Sequence, residues 1–269
     1  MNRLSLVVLL SLLTFSGKAL YGQDKSKESH ADRTGFIVDA HGAIIRGDVS
    51  KKEISLVLTG DEFADGGTTI LEVLRKHGVS ASFFLTGNFY LNDAFRELII
   101  DLREDGHYLG AHSDQHLLYA DWSKRDSLLV TEEEFKLDLL ANYERMGEFG
   151  IKTSDAPYFI PPYEWHNSVI AEWTMQLGLK LINFTPGTRS HADYTFPEMG
   201  DRYLSSESIY HSIMEYERKD PNGLNGFILL IHIGTDPRRT DKFYNKLDQL
   251  MADLKGKNYR FVKITDLLK

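Results

Sequence analysis

Short apolar segments alternate with amphipathic segments along most of the chain. Residues 54–58 (ISLVL) are almost continuously apolar between polar flanks, which is typical of a buried strand. Residues 68–76 are followed by His77 and Gly78, and a glycine at such a place commonly ends a helix. By the same criteria, further strands are predicted at 80–85, 108–111, 158–160, 181–184, 227–231 and 260–264, and further helices at 92–104, 131–149, 167–177, 206–217 and 241–254.

The segment 131–149 has the clearest helical pattern. Thr131 and Glu134 have the spacing of a capping box, in which each side chain bonds the backbone of the other residue. Four apolar residues then fall on one helical face: Phe135, Leu139, Tyr143 and Met146. Amphipathic helices that alternate with buried strands predict a parallel α/β sheet, and we expect this sheet to roll into a barrel.

The amino terminus has the pattern of a secretory signal peptide over residues 1–22. Arg3 precedes the apolar residues 4–15, a stretch too short for an ordinary transmembrane helix, and small and polar residues follow it. Cleavage is expected after Ala19 or Gly22. The mature protein is therefore predicted to be secreted or periplasmic, in a bacterium.

The remainder of the chain indicates one domain after a short leader. Residues 23–33 are polar almost throughout and are predicted to form a flexible lead-in. Residues 34–269 contain no linker-like break and no internal repeat. The chain has no cysteine, so neither a lipid-attachment cysteine nor a disulfide is available. We expect a mature chain without a membrane span.

The charge distribution narrows the choice of partner. The formal net charge is −8, and no block rich in lysine and arginine occurs in the sequence. Nucleic acid and anionic membrane surfaces are therefore not expected as partners. A strongly anionic polymer is also an unfavourable substrate for such a protein.

Two histidines and two carboxylates supply the candidate chemistry. His112 and His116 are four residues apart and can meet one metal ion from the same side, and Asp61 and Glu62 follow an apolar strand. Two histidines and one acid leave a coordination position open for water, as in catalytic zinc sites. The spacing alone is common, and the carboxylates could instead cap the next helix. Their positions at predicted strand ends favour a catalytic site, because catalytic groups concentrate there in barrel folds.

Four segments at predicted strand ends resemble, in order, the motifs of one family. They are residues 59–62 (TGDE), residues 112–116 (HSDQH), residues 160–163 (IPPY) with Asn167, and residues 230–232 (LIH). Together they resemble the motifs of the polysaccharide deacetylase family, also called the NodB-homology family or carbohydrate esterase family four. The resemblance extends over roughly residues 51–268.

The resemblance implies a distorted, incomplete (β/α) barrel that removes acetyl groups from sugars with a divalent metal, usually zinc. By the resemblance, Asp61 is the base that takes a proton from water. Glu62, His112 and His116 are the metal ligands. His232 protonates the leaving group.

The remaining implied roles concern the oxyanion and the substrate. The backbone N–H of Tyr163 is the implied donor to the oxyanion. Leu230 is expected to line the pocket for the acetyl methyl group, and Pro162 and Asn167 are expected to bind substrate. The implied partner is an acetylated glycan or oligosaccharide.

Three positions depart from the family pattern. Glu62 stands where the family usually has aspartate, so either Glu62 or Asp61 remains a candidate for the carboxylate ligand. Ile160 stands where an arginine usually bonds the base. The family's acidic motif that orients the acid histidine has no clear counterpart, and Asp193 is the candidate for that role.

Three functions follow from these observations. The first is a secreted metal-dependent deacetylase that acts on N- or O-acetyl groups of a carbohydrate. The second is an amidohydrolase that acts on a small non-peptide amide, because related barrels support that chemistry. The third is a carbohydrate-binding protein that kept the fold and lost turnover.

Overall fold

The computed structural model describes residues 35–269, and nine strands in this range form one sheet. The predicted signal peptide and lead-in lie outside the described residues. The strands are β1 (Ile37–Val38), β2 (Ile44–Arg46), β3 (Glu53–Gly60), β4 (Ser82–Leu85), β5 (Tyr108–Ala111), β6 (Tyr158–Phe159), β7 (Lys180–Leu181), β8 (Phe227–His232) and β9 (Arg260–Phe261).

Eight α-helices lie in the same range, most of them between consecutive strands. They are α1 (Gly67–His77), α2 (Gly87–Leu91), α3 (Arg96–Glu104), α4 (Glu132–Glu148), α5 (Ser168–Gln176), α6 (Ser206–Lys219), α7 (Leu247–Gly256) and α8 (Ile264–Leu267). Within residues 35–269, no helix has the length and apolar character needed to cross a membrane.

The strand order is β1-β2-β8-β3-β4-β5-β6-β7, and β9 pairs with β3. β3 pairs in parallel with β4, β8 and β9, and the pairs from β4 to β7 are parallel as well. Only the pairs that involve β2 are antiparallel. Seven of the eight residues of β3 are buried, as expected for a central strand covered on both faces.

The sheet curls until its far end meets β2. Ile182, just after β7, forms a parallel bridge with Ile44. Thr185 then joins two strands, because its hydroxyl donates to the carbonyl of Ile45 and accepts the N–H of Ile228 at 3.0 Å. This irregular closure, together with the parallel core, confirms the predicted distorted and incomplete barrel.

The helix predicted at 131–149 is confirmed as α4. Thr131 and Glu134 form the predicted capping box, in which the Thr131 N–H donates to the Glu134 carboxylate at 2.7 Å. The predicted apolar face is buried against the sheet: Phe135, Leu139, Tyr143 and Met146.

Several predicted boundaries differ in the structure. The predicted helix 92–104 begins with a 3₁₀ turn at Asp93–Phe95, and the predicted helix 241–254 begins with another at Phe243–Lys246. The strand predicted at 181–184 is only Lys180–Leu181, because the chain then turns across to β2 and β8. The strand predicted at 260–264 ends at residue 261, and Ile264 begins α8. Sequence analysis did not identify β1, β2, α2 or α8, which are too short to show a periodic pattern.

We predict that Thr185→Val lowers the free energy of unfolding by about 2 kcal/mol, because it leaves the Ile228 N–H without its acceptor inside the closure. Chemical denaturation followed by circular dichroism measures this loss. Thr174→Val is the matched control: its buried hydroxyl bonds the Ile170 carbonyl within α5, at 2.7 Å. The control should cost clearly less, and equal losses in the two variants would show that Thr185 has no special part in closing the sheet.

Candidate active site

A pocket of about 830 Å³ opens at the carboxyl ends of β3, β5 and β8. In sheets of this kind, the carboxyl edge of parallel strands is the usual place for an active site. All six residues predicted to be catalytic or metal-binding line this pocket: Asp61, Glu62, His112, His116, Tyr163 and His232. The structure therefore brings together residues that are up to 171 positions apart in the chain.

The three residues predicted to bind substrate lie elsewhere. Leu230, Pro162 and Asn167 are buried and are not among the residues that line the pocket. The Asn167 side chain accepts the N–H of Ile170 at 3.1 Å as the cap of α5 and donates to the carbonyl of Arg125 at 2.9 Å. In the structure Asn167 joins a loop to a helix and Leu230 belongs to the core, and direct contact of these three residues with substrate stays a prediction.

His112 is fixed in a neutral form that suits a metal ligand. Its ring Nδ1 donates to the Ile160 carbonyl at 2.8 Å, which leaves Nε2 free to bind. Its backbone N–H donates to Asn142 Oδ1 at 2.8 Å. Burial, helped by the charge of His116, holds the pKa of His112 well below its ordinary value. A metal ligand must be unprotonated, and His112 meets that condition.

His116 faces His112 across the same corner of the pocket. The centroids of the two rings are 5.1 Å apart, and His116 Nδ1 lies 3.8 Å from Asp61 Oδ2. Burial lowers the pKa of His116, although the negative charge of Asp61 opposes this change. Two imidazoles and one carboxylate thus lie at the same corner of the pocket.

Two carboxylates, Asp61 and Glu62, are candidates for the third ligand. Glu62 is exposed at the pocket wall, whereas Asp61 is the carboxylate beside His116. Among residues 35–269, no three histidine, aspartate or glutamate side chains form a ready-made group that could hold a metal ion. Completing a site would therefore require one of these two side chains to rotate toward the histidines.

Asp61 follows β3 directly and is bound by two neutral donors. Thr86 Oγ1 donates to Asp61 Oδ1 at 2.8 Å, and Asn88 Nδ2 donates to the same oxygen at 3.2 Å. Ile160, at the place of the family's usual arginine, is fully buried, and its carbonyl contacts His112. Sequence analysis did not identify Thr86 and Asn88, which lie at the start of the unpredicted helix α2.

A buried carboxylate on α4 holds the loop that carries the two histidines. Asp138 accepts hydrogen bonds from Ser113 Oγ at 2.6 Å, from the Gln115 N–H at 2.9 Å and from the Tyr119 hydroxyl at 2.5 Å. Asn142, one turn later, holds the backbone of His112. The sequence does contain a signal for this pair, because both residues lie on the apolar face of an amphipathic helix.

Unusual backbone conformations concentrate around the pocket. In the part of the chain that the structure describes, six non-glycine residues have positive φ, and four of them are in two loops of the site. They are Ser113 (78°), His116 (55°), Tyr163 (59°) and Glu164 (52°). Such residues are strained, and strain of this kind clusters at functional sites.

His232 is paired with Asp193, the residue considered for the missing acidic motif. His232 Nδ1 donates to Asp193 Oδ1 at 2.6 Å, and the His232 N–H donates to Asp193 Oδ2 at 2.8 Å. Burial acts to lower the pKa of His232, but the charge and hydrogen bond of Asp193, with the charge of Glu164, hold it above its ordinary value. The second imidazole nitrogen is left to act in the pocket.

Glu164 is a second acid near His232. It lines the pocket, and burial raises its pKa to about 7, with Asp193 acting in the same direction and His232 opposing. The state of Glu164 therefore changes near neutral pH, within range of the histidine. No role was predicted for Glu164 from the sequence.

Residues 48–182 match the family model described as polysaccharide deacetylase. The chain belongs to the polysaccharide deacetylase family. This confirms the predicted family, and the predicted enzyme class, a hydrolase that removes acetyl groups from carbohydrates, is that of its relatives.

Two curated members of this family and one solved structure show how far the likeness extends. The peptidoglycan-N-acetylmuramic acid deacetylase of Bacillus subtilis is 26% identical over 221 residues, covering 81% of this chain and 72% of that protein. A peptidoglycan-N-acetylglucosamine deacetylase of Bacillus cereus is 23% identical over 236 residues, covering 86% and 74%. A family pseudoenzyme from Bacillus anthracis has a TM-score of 0.65 at 21% identity, covering 84% of this chain and 69% of that one. This last likeness concerns the fold alone.

We predict that Asp138→Asn weakens the binding of a divalent metal ion at the two histidines by about 10- to 100-fold, because an amide replaces a carboxylate that accepts three hydrogen bonds. Competition with a chromogenic chelator measures the affinity, and a thermal melt checks the fold. Glu133→Gln removes one charge from the exposed side of the same helix and should bind the metal ion as the wild type does. Unchanged affinity in Asp138→Asn would mean that the loop keeps its geometry without this carboxylate.

Proposed function

We propose that the protein is a secreted, divalent-metal-dependent deacetylase that removes N-acetyl groups from amino sugars of peptidoglycan. One observation carries the proposal: two neutral histidines, a carboxylate and an acid-paired histidine all face one pocket. The names of the two curated relatives, both peptidoglycan deacetylases, support the substrate class. The signal-like residues 1–22 support export to the compartment where such a substrate lies.

The donor set fits a divalent metal, and zinc is the ion proposed. His112 presents an unprotonated Nε2 because its other nitrogen bonds a carbonyl, an arrangement common to histidine ligands of metals. His116 is the second ligand, and Glu62 or Asp61 is the third. When bound, a divalent ion supplies Lewis-acid polarisation of the acetyl carbonyl and lowers the pKa of water.

The chain's own residues then divide the proton transfers. Asp61, held by Thr86, takes the proton of the attacking water. His232, whose Nδ1 proton is held by Asp193, gives a proton to the leaving nitrogen. The backbone N–H of Tyr163 is the proposed donor to the oxyanion, on a turn that the prolines before it stiffen.

A second candidate is a carbohydrate-binding protein without turnover. The observation that favours it is the exposed position of Glu62, together with the absence of a ready-made metal group among the described residues. Such a protein would bind glycans and release no acetate. The two candidates therefore differ in one measurable product.

We expect the purified mature protein to release acetate from chitooligosaccharides or peptidoglycan, and to lose this activity with a chelator. His112→Ala should lose both the metal and the activity, because it removes a ligand. Acetate is measured by a coupled enzyme assay, and acetylated xylan is included to separate N-acetyl from O-acetyl substrates. Glycan binding without acetate release, at full metal content, would establish the second candidate.

The same assay separates the two carboxylates. Glu62→Ala should release the metal, whereas Asp61→Asn should keep it and lose about 100-fold or more in kcat, because the base is gone. Elemental analysis of each variant gives the metal content. The reverse result, with an empty site in Asp61→Asn and a filled one in Glu62→Ala, would exchange the two roles.

We predict that Asp193→Asn moves the alkaline limb of the kcat/KM profile to lower pH. His232 acts as an acid while it is protonated, and Asp193 raises its pKa, so removing that charge lowers the pH at which the acid is lost. Glu164→Gln should shift the limb in the same direction. Asp201→Asn, an exposed charge change, is the control. An alkaline limb that stays in place in Asp193→Asn would exclude His232 as the titrating acid.

A further inference from the structure

Arg239, on the loop that follows β8, is fully buried although it carries a positive charge. Burying a guanidinium costs free energy unless a carboxylate and hydrogen bonds compensate for the lost water. The carboxylate paired with it, Asp241, lies 4.0 Å away, and the Asp241 side chain is 43% exposed. Arg239 Nε has no hydrogen-bond partner among residues 35–269. Because an apolar side chain of similar size would pack there at lower cost, stability alone does not explain this arginine.

The other two guanidinium nitrogens of Arg239 bind the segment that leads from the 3₁₀ turn Ser190–Tyr194 to α6. Nη1 donates to the carbonyl of Thr195 and, at 3.0 Å, to the carbonyl of Leu204. Nη2 donates to Ser206 Oγ at 3.2 Å. The Leu204 N–H also donates to Thr195 Oγ1 at 3.2 Å. The planar guanidinium thus holds the two ends of that segment together.

The two segments that Arg239 joins each carry one member of the candidate acid pair. Arg239 follows His232 by seven residues, and Thr195 follows Asp193 by two. Asp193 binds both the ring and the backbone N–H of His232 at the pocket. Arg239 is not among the residues that line the pocket. The two segments are therefore bonded twice, once at the acid pair and once behind it.

The charge of Arg239 acts on His232 in the direction opposite to Asp193. Burial lowers the pKa of His232, and the charge and hydrogen bond of Asp193 raise it, with help from the charge of Glu164. Arg239 lowers this pKa, by the smallest of these influences. An acid that must stay protonated gains nothing from a nearby cation. The charge of Arg239 therefore does not explain its position, whereas its hydrogen bonds support the segment that carries Asp193.

Other titratable groups near His232 are not bonded to Arg239 in the part of the chain that the structure describes. They are the candidate ligands His112 and His116, the residues His191 and Tyr194 on the turn of Asp193, and Glu164. A change in the hydrogen bonds of Arg239 is therefore expected to reach His232 through Asp193.

We propose that Arg239 is a positioning residue for the candidate acid: its hydrogen bonds hold the segment of Asp193 against the strand of His232. Asp193 touches His232, and Arg239 acts through that contact. The proposal rests on the proposed function only for the use that the reaction makes of His232. When the bonds of Arg239 are lost, we expect Asp193 to draw back from the imidazole, so that less His232 is protonated at neutral pH.

The proton between His232 and Asp193 reports this geometry directly. A proton in a short hydrogen bond between an imidazole and a carboxylate resonates far downfield in the NMR spectrum, and its loss in His232→Asn assigns it. The spectra are recorded with zinc, a diamagnetic ion, added to the protein. Arg239→Met removes the guanidinium and should shift this resonance upfield or broaden it away. Arg239→Lys keeps the charge without the planar set of donors and should show a partial shift.

The titration of His232 separates positioning from charge by its sign. If Arg239 holds Asp193 in place, Arg239→Met lowers the pKa of His232, because the carboxylate that raises it has moved away. If Arg239 acted through its charge alone, the same variant would raise that pKa. Arg238→Met is the matched control, since it removes an exposed arginine of the same loop that pairs with Asp236 at 2.5 Å. This control should leave the resonance and the titration of His232 unchanged.

Kinetics on chitotetraose give the consequence for turnover. Arg239→Met should lower kcat for acetate release about tenfold or more at unchanged KM, and move the alkaline limb of the profile to lower pH. A wild-type resonance in Arg239→Met, or a raised pKa of His232, would overturn the proposal. Melting temperatures show whether each variant is folded, and Arg239→Lys decides by the same criteria if Arg239→Met is not.

The NMR measurements do not depend on turnover, so they separate this proposal from the proposed function. A shifted resonance in Arg239→Met, in a protein whose wild type releases no acetate, would retain the positioning role and reject the deacetylase. Acetate release by the wild type, with the resonance of His232 unmoved in Arg239→Met, would retain the deacetylase and reject the positioning role.

Discussion

The register of the parallel strands is the constraint on which the candidate site depends. Gly60 of β3 pairs with Leu85 of β4, and Leu85 pairs with Ala111 of β5. The next residue on each strand is therefore a site residue at the same level: Asp61, Thr86 and His112. The hydrogen bond from Thr86 to Asp61 follows from this alignment.

On the other side of β3, Thr59 pairs with His232, which brings the candidate acid to the same edge. Because side chains alternate along a strand, a shift of one residue in either pairing would turn one member of the site away from the pocket.

The strands set the level of the site residues, and buried polar groups set their direction. A histidine loop with two left-handed residues is strained and needs support from its surroundings. Asp138 and Asn142 on α4 give that support from below, and Asp193 gives it to His232 from the opposite wall. All three polar groups are buried, and each has well-formed hydrogen bonds, so that their burial is compensated. The candidate ligands and the candidate acid are thus held in place by hydrogen bonds to neighbouring residues that take no part in the proposed reaction.

The strand ends and the main helices could be predicted from the sequence, because a buried strand is a short apolar run and an amphipathic helix repeats its apolar residues every three or four positions. Sequence analysis identified His112, His116 and Asp61 because they follow such strands, and it identified His232 through the resemblance to the family. It assigned Leu230, Pro162 and Asn167 to the substrate from the family motifs, but it could not show that these side chains are buried, because motif membership does not tell which way a side chain points. Contacts between distant segments, such as Thr86 with Asp61 or Arg125 with Trp165, have no local pattern at all. The closure by Thr185 was missed for the same reason, since one residue outside any regular strand carries it.

Ile160 shows how a departure from a family motif can be absorbed. Its side chain is fully buried in the apolar core, so a cation in that position would have to leave the core or be buried unpaired, at high cost. The carbonyl of residue 160 still orients His112, and this contact does not depend on the side chain.

The candidate base, Asp61, accepts hydrogen bonds from two neutral donors that follow the neighbouring strand, Thr86 and Asn88. Orientation of the base is therefore kept by hydrogen bonds, while the local positive charge is lost. In such a site the charge balance around Asp61 depends more on a bound cation than on an arginine at position 160, which ties the proposed base closely to the proposed metal.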